Sequence, residues 1–364
     1  MDQRPARARQ IGVEFGGFAA GACNAITDVP GVAVGHTTLS IGADIRTGVT
    51  AIVPARVMAA GAHCAAAVAV GNGYGKLVGS MQVAELGVIE TPILLTATLS
   101  AFRVADALVE YMLALPGYEA IQSINPVVGE TNDGFLSDIR ARPLRYEHVA
   151  AAIDTASVGP VAEGAVGAGT GTAALGFKAG VGTSSRILAG HSHPITVGTL
   201  VQANFSGTLT VMGVPIPSDA ALAGVDQAAV GQPGERAGNS CVFVVATDAP
   251  LDARQLGRVA RRALVGLART GSAFAGGSGD YALAFSTARS GDPVCRDTDI
   301  DPIFRATIDS AEEAILNSLF MAETTTGYQG HTRYAVPHAW VRRACTLTPI
   351  SPTARDPASS EPTA

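Results

Sequence analysis

The chain has 364 residues, of which 47% are hydrophobic and 15% charged, with a formal net charge of −6; it holds ample apolar material for a large core and no basic cluster, so nucleic acid is excluded as a partner. The five cysteines, Cys23, Cys64, Cys241, Cys295 and Cys345, are scattered without C-x-x-C spacing, which argues against a disulfide framework or a zinc site. No apolar run approaches bilayer length, and residues 1–10 lead into no signal-peptide core, so no membrane association and a cytoplasmic location are expected.

In chain order, residues 1–10 show no apolar period and read as a mobile tail, as do residues 351–364, leaving 11–350 as a single domain. Residues 66–70 and 93–95 read as strands, and 102–113 place Val104, Leu108, Tyr111 and Met112 at helical spacing. His191 and His193 stand at alternate positions of an extended segment, but nothing nearby supplies a third and fourth ligand, so no metal is expected. Residues 197–202, 209–211, 242–247 and 281–286 read as strands, and 255–269 and 309–322 as helices. Strands and helices come in consecutive groups, which predicts an α+β chain of layered sheets covered by helices rather than a βαβ repeat.

Arginine supplies nearly all the positive charge, and the only lysines, Lys76 and Lys178, both fall in glycine-rich segments. A compact ammonium there can do what a planar guanidinium cannot. Neither segment has the G-x-x-x-x-G-K-[ST] spacing of a phosphate-binding loop, since Leu77 follows Lys76.

Asn239-Ser240-Cys241 sets a small hydroxyl nucleophile at the start of the apolar run 241–246, just after residues 231–238, which read as an exposed loop. If the bond before Ser240 breaks, a hydroxyl and a freed α-amino group share one residue, which is how an N-terminal nucleophile carries its own base. Asn-Ser after glycine is also ordinary turn chemistry, so the weight of this reading rests on its surroundings.

Those surroundings are Asn24-Ala25-Ile26-Thr27-Asp28-Val29-Pro30-Gly31, the segment 71–76, Val128-Gly129-Glu130-Thr131-Asn132-Asp133-Gly134, Val201-Gln202-Ala203-Asn204-Phe205 and Val244-Val245-Ala246-Thr247-Asp248. With them the chain resembles the DmpA-type family of L-aminopeptidase/D-esterases and β-peptidyl aminopeptidases, over residues 11–323. The resemblance implies an αββα sandwich similar to that of N-terminal-nucleophile hydrolases. It also implies a precursor that cleaves itself into an α chain ending at Asn239 and a β chain beginning at Ser240, which stay together and assemble further as a homo-oligomer of αβ units. No cofactor is implied.

Carried onto this sequence, the family pattern makes Ser240 the nucleophile, Asn239 the residue whose carbonyl is attacked in self-cleavage, and Asn204 an oxyanion-hole donor. It makes Ser278 and Asp280 the pair that orients and polarises the amine of Ser240. Residues i and i+2 of an extended segment point the same way, so Ser278 and Asp280 can face one site together; a Ser-Gly-Asp turn opening a strand accounts for the same residues without chemistry. Where the family often has tyrosine in Glu-Thr-Tyr-Asp-Gly, this chain has Asn132, so substrate preference cannot be copied from tyrosine-bearing members.

The chemistry expected is an N-to-O acyl shift at Ser240, then water to release the chains. The freed amine, with an ordinary pKa of about 7.7 to 8.0, would take the hydroxyl proton directly or through Ser278, and an acyl-enzyme on Ser240 would release N-terminal residues from small peptides, amides or esters. Glu130 or Asp133 would read the substrate ammonium, although loop carboxylates are usually just solvated. Two alternatives stand beside this: a self-processed amidase or acyltransferase acting on other amides, and an uncleaved binding protein of the same fold.

Overall fold

The computed structural model describes residues 4–189, 194–223, 239–289, 292 and 294–346. Its strands are β1 (Val32–Ile41), β2 (Ile45–Pro54), β3 (Cys64–Gly73), β4 (Leu77–Val78), β5 (Val88–Ile89), β6 (Ile93–Ala97), β7 (Val127–Thr131), β8 (Ala173–Ala174), β9 (Phe177–Lys178), β10 (Val181–Leu188), β11 (Ile195–Asn204), β12 (Leu209–Val211), β13 (Val214–Ile216), β14 (Asn239–Thr247), β15 (Ser278–Ser286), β16 (Thr325–Thr326) and β17 (Thr332–Arg333). The described helices are α1 (Ser80–Leu86), α2 (Ala101–Leu113), α3 (Tyr146–Asp154), α4 (Ser218–Ala221), α5 (Ala253–Arg269), α6 (Asp301–Phe320) and α7 (His338–Ala344).

Two sheets carry the architecture, one in the order β1-β2-β6-β7-β4 and one in the order β10-β11-β14-β15-β3-β5. Strand alternation explains how they stack, because successive side chains leave opposite faces. On β14, Val242, Val244 and Ala246 pack with Ile52, Leu95 and Val127 of the first sheet. Phe243 and Val245 pack instead with Leu256, Val259, Ile315 and Leu319 of α5 and α6. The outer face of the first sheet, through Val49, Leu94 and Val128, meets Val104 and Leu108 of α2 and Val149 of α3. The result is four layers, helix-sheet-sheet-helix, with both faces of both sheets covered.

The helix boundaries follow local chemistry. α5 starts where Asp252 accepts the Gln255 backbone N–H at 2.7 Å while Gln255 accepts that of Asp252 at 3.2 Å, a reciprocal capping box. α6 begins eight residues earlier than its periodicity suggests, at Asp301 with a proline in its first turn, where proline's fixed φ suits a helix start.

The expectation of a mobile tail over residues 1–10 is corrected from Arg7 onward, residues 1–3 lying outside the described residues. A short 3-10 turn at Ala8–Ile11 buries Ala8 and Ile11 completely. Arg7 pairs with Glu163, and the Arg9 Nε stands 2.8 Å from Glu313. Anchoring by charged side chains on buried carboxylates leaves no apolar period to read. Residues 351–364, the loop 231–238 and the histidines His191 and His193 lie outside the described residues. Among the described residues no group of three or more His, Cys, Asp or Glu is placed to hold a metal, and no helix is long and apolar enough to cross a membrane.

Candidate active site

Ser240 is the second residue of β14, flanked by the end of β11 and the start of β15. Asn204 stands opposite Ser240 in the antiparallel register, and Gly279 stands opposite it in the parallel one. The site therefore forms where the sheet's central strands begin or end, at the mouth of the layer between the sheets. The Ser240 side chain shares the phase of Val242 and Val244 and points into that layer. Its hydroxyl donates to the Asn239 carbonyl oxygen. The Gly279 backbone N–H donates to Ser240 Oγ at 3.3 Å. Space at 279 is tight: a Cβ there would lie 3.0 Å from the Tyr281 ring and 3.1 Å from Gly75 Cα.

Ser278 and Asp280 share a face, as their spacing predicts, and the Ser278 hydroxyl donates to Asp280 Oδ1 at 2.7 Å. That face is the helix-covered one: Cys241 is opposite Asp280, and Cys241 and Ala282 belong to the core beneath α5 and α6. The sheet thus separates this pair from the Ser240 hydroxyl. What both sides can reach is the Ser240 backbone nitrogen, which lies in the plane of the sheet. Burial raises the Asp280 pKa, with the Ser278 hydroxyl and the Cys241 backbone N–H opposing the shift. Asp280 Oδ2 and Asn239 Oδ1 are buried with no hydrogen-bond partner among the described residues.

Asn204 is buried and held at both ends: its Oδ1 accepts the Ala173 backbone N–H at 3.1 Å, and its Nδ2 donates to the Asn132 carbonyl at 3.0 Å. Asn132 is exposed, and its own Oδ1 is turned back to accept the Gly134 N–H at 2.9 Å. Glu130 is corrected from a loop carboxylate to a buried residue of β7. It accepts the Lys76 backbone N–H at 2.8 Å, with the Lys76 ammonium 3.6 Å away and itself donating to Thr98 Oγ1 at 2.7 Å. Asp133 is 1% exposed. Burial pushes its pKa up to about 7, with the Thr47 hydroxyl opposing.

Sequence reasoning missed three contributors. Tyr281 follows Gly279 on the same face of β15, and its hydroxyl and Glu130 Oε1 each lie 3.1 Å from the point a Gly75 Cβ would occupy, so a phenol does stand near the site although Asn132 has none. Burial, then Glu130, raises the Tyr281 pKa and keeps it a donor. Gln202 sends its amide to Thr96 O, Thr131 Oγ1 and Ala168 O at 3.1, 2.9 and 2.8 Å, tying the two sheets together two residues before Asn204. The third is the Gly279 N–H itself. A cavity of about 320 Å³, lined by Val70, Gly75, Lys76, Leu77, Phe102 and Tyr281, opens beside this cluster.

The model of peptidase family S58 matches residues 24–333. The chain is 41% identical to the β-peptidyl aminopeptidase BapA of Sphingosinicella xenopeptidilytica, over 93% of this chain and 90% of that protein. Among solved structures, a Burkholderia sp. β-aminopeptidase superposes with a TM-score of 0.84 at 37% identity, covering 94% of this chain and 98% of the other. The L-aminopeptidase D-Ala-esterase/amidase of Ochrobactrum anthropi, described as a variant of the Ntn hydrolase fold, superposes with a TM-score of 0.84 at 35% identity, covering 93% and 98%. The sandwich expected from the sequence is the fold these neighbours have.

Proposed function

This chain belongs to peptidase family S58, and from that premise we propose that it is a self-processing serine aminopeptidase whose nucleophile is Ser240. The observation that carries the reading is the Ser240 hydroxyl resting on the Asn239 carbonyl, at the head of a strand flanked by Asn204 and Gly279. Attack by Oγ on the Asn239 carbonyl carbon breaks the C–N bond and forms an ester; the hydroxyl proton goes to the new amine, and water then releases chains 1–239 and 240–364.

The freed amine replaces one amide N–H by an ammonium with three donors, which supplies the unpaired Asp280 Oδ2 with a partner. Because Ser278 and Asp280 stand on the helix-covered face, they tune the amine; the ammonium first gives up one proton to solvent, and the neutral amine then takes the hydroxyl proton directly during catalysis. Ser240 Oγ then attacks the substrate carbonyl while Asn204 Nδ2 and the Gly279 N–H donate to the developing oxyanion. Glu130 reads the substrate ammonium. The cavity beside Tyr281 takes the substrate's apolar portion, and the names of the relatives put β-amino-acid amides first among the candidates.

We further place the protein in the cytoplasm on its five free thiols. We expect the αβ unit to assemble with copies of itself, for which the exposed Tyr74, Met81 and Phe102 offer apolar surface. The test is intact-mass spectrometry of the purified wild type beside Ser240→Ala. Fragments 1–239 and 240–364 in the wild type alone support the reading, and a single full-length species in both overturns it. Turnover of a β-amino-acid amide, an L-amino-acid amide and a D-alanyl ester by the processed protein then sets preference and separates hydrolysis from acyl transfer.

A further inference from the structure

Lys178 is fully buried, and its ammonium has only backbone carbonyls as partners: Gly169 O at 3.1 Å and Ala179 O. No carboxylate pairs with it among the described residues. Burial pushes its pKa down to about 7, and a buried amino group without a counter-charge is costly where an apolar side chain would fill the same volume. A lysine at such a place is therefore explained by what its donors hold.

Those donors bridge the two ends of the segment 169–179. Between the bridged carbonyls, Ala179 N–H donates to Thr172 O at 3.3 Å and Leu175 N–H to Phe205 O at 2.8 Å. The two-residue strands β8 and β9 pair Ala173 with Lys178 itself. Ala173 sends its free N–H outward at 3.1 Å to Asn204 Oδ1, which leaves the Asn204 Nδ2 aimed toward the mouth, on the Asn132 carbonyl. The amino group thus clamps the small hairpin whose Ala173 N–H sets the orientation of the Asn204 amide. The flexible stem and compact amino group of a lysine reach both carbonyls from within the segment itself.

We propose that Lys178 is a positioning residue for the oxyanion donor: through the segment 169–179 and the Ala173 N–H it fixes the amide of Asn204 for attack at Ser240. This rests on Asn204 acting as that donor. The experiment measures kcat and KM of the processed enzyme for whichever amino-acid amide the wild type turns over fastest. The variants are Lys178→Met, Ala173→Pro and Asn204→Ala, with the first two also combined with the third. Proline at 173 removes the N–H that holds Asn204 and leaves Lys178 in place, so it tests the same link should the lysine variant fail to fold.

Lys178→Met and Ala173→Pro are expected to lower kcat about a hundredfold, as misplacement of a reacting group by about 1 Å does, with KM within about twofold of wild type. In the Asn204→Ala background neither causes a further loss, because the group they position is gone. An undiminished kcat in both variants overturns the proposal, as does the same fold-loss with and without Asn204. If Asn204→Ala itself leaves kcat unchanged, it is the oxyanion assignment that fails, and the proposal fails with it for that separate and visible reason.

Discussion

Two buried polar centres of this molecule are built on opposite terms. Beneath the N-terminal segment, both oxygens of Glu313 are saturated: Oε1 accepts from Arg9 Nε at 2.8 Å and Asn24 Nδ2 at 2.7 Å, and Oε2 accepts from Arg9 at 2.9 Å and Arg186 at 2.7 Å. Around Ser240, Asp280 has one oxygen on Ser278 and the other without a partner among the described residues, and the Asn239 side-chain oxygen is likewise unpaired. Buried acceptors left open cost free energy, so a fold tolerates them where a later donor arrives. The closed centre ties the N-terminal segment to α6; the open one suits the change in covalent structure proposed above.

The sharpest way to break this contrast is Asp280→Ala in the processed protein. A group that only tunes the amine should cost about 10²- to 10⁴-fold in kcat with little change in unfolding free energy. Loss of stability in step with activity would make Asp280 a second Glu313. The converse variant, Glu313→Gln, leaves Arg9 and Arg186 facing an uncharged amide in a fully buried place; it should lower unfolding free energy by about 3 to 5 kcal/mol in denaturant titration while kcat of the surviving folded enzyme stays near wild type.

Glu130→Gln sharpens the ammonium assignment. It should raise KM for free-amine substrates at least about tenfold, the scale of a lost charge-assisted hydrogen bond of 1.5 to 3 kcal/mol; an equal loss on N-acylated substrates would remove Glu130 from that role. Asp133 gives a pH test. Its native pKa of about 7 lies above the ordinary 3.8, so between those values the native state binds more protons than the unfolded one. Stability contributed by Asp133 therefore falls as pH rises from about 4 to 7. Asp133→Asn should flatten that slope in melting curves collected across the window. The smallest effect belongs to Arg269, whose half-exposed guanidinium meets Asp309 and Glu312 at 3.1 Å each: Arg269→Ala should cost no more than about 1 kcal/mol.

Much of the fold was legible. The strands at 66–70, 93–95, 197–202, 209–211, 242–247 and 281–286 all fall inside observed strands, and the 102–113 and 255–269 helices inside observed helices, because burial on one face imposes a short period on the sequence. The shared face of Ser278 and Asp280 follows from the same rule. Glu130 was harder, since an acidic residue in Glu-Thr-Asn-Asp-Gly looks like loop and is placed in a buried strand only by partners 54 residues away in sequence. The docked Arg7 and Arg9 and the bridging Gln202 left no local trace, as polar pairing across long sequence separations has no period, and Lys178 stood out only as one of two lysines, with no sign of what it holds.

What the sequence by itself determined is therefore local: which segments are extended or helical, that a serine stands at the head of an apolar strand, and that Ser278 and Asp280 point one way. What only the tertiary structure decided is which faces those groups occupy. Strand order brings Asn204 and Gly279 to either side of Ser240. It also sets the Ser240 hydroxyl on the between-sheet face and the Ser278–Asp280 pair on the helix-covered face. Alternation along one strand is a property of covalent geometry, whereas the register between strands is chosen by the packing of whole faces, and the site exists only where the two meet.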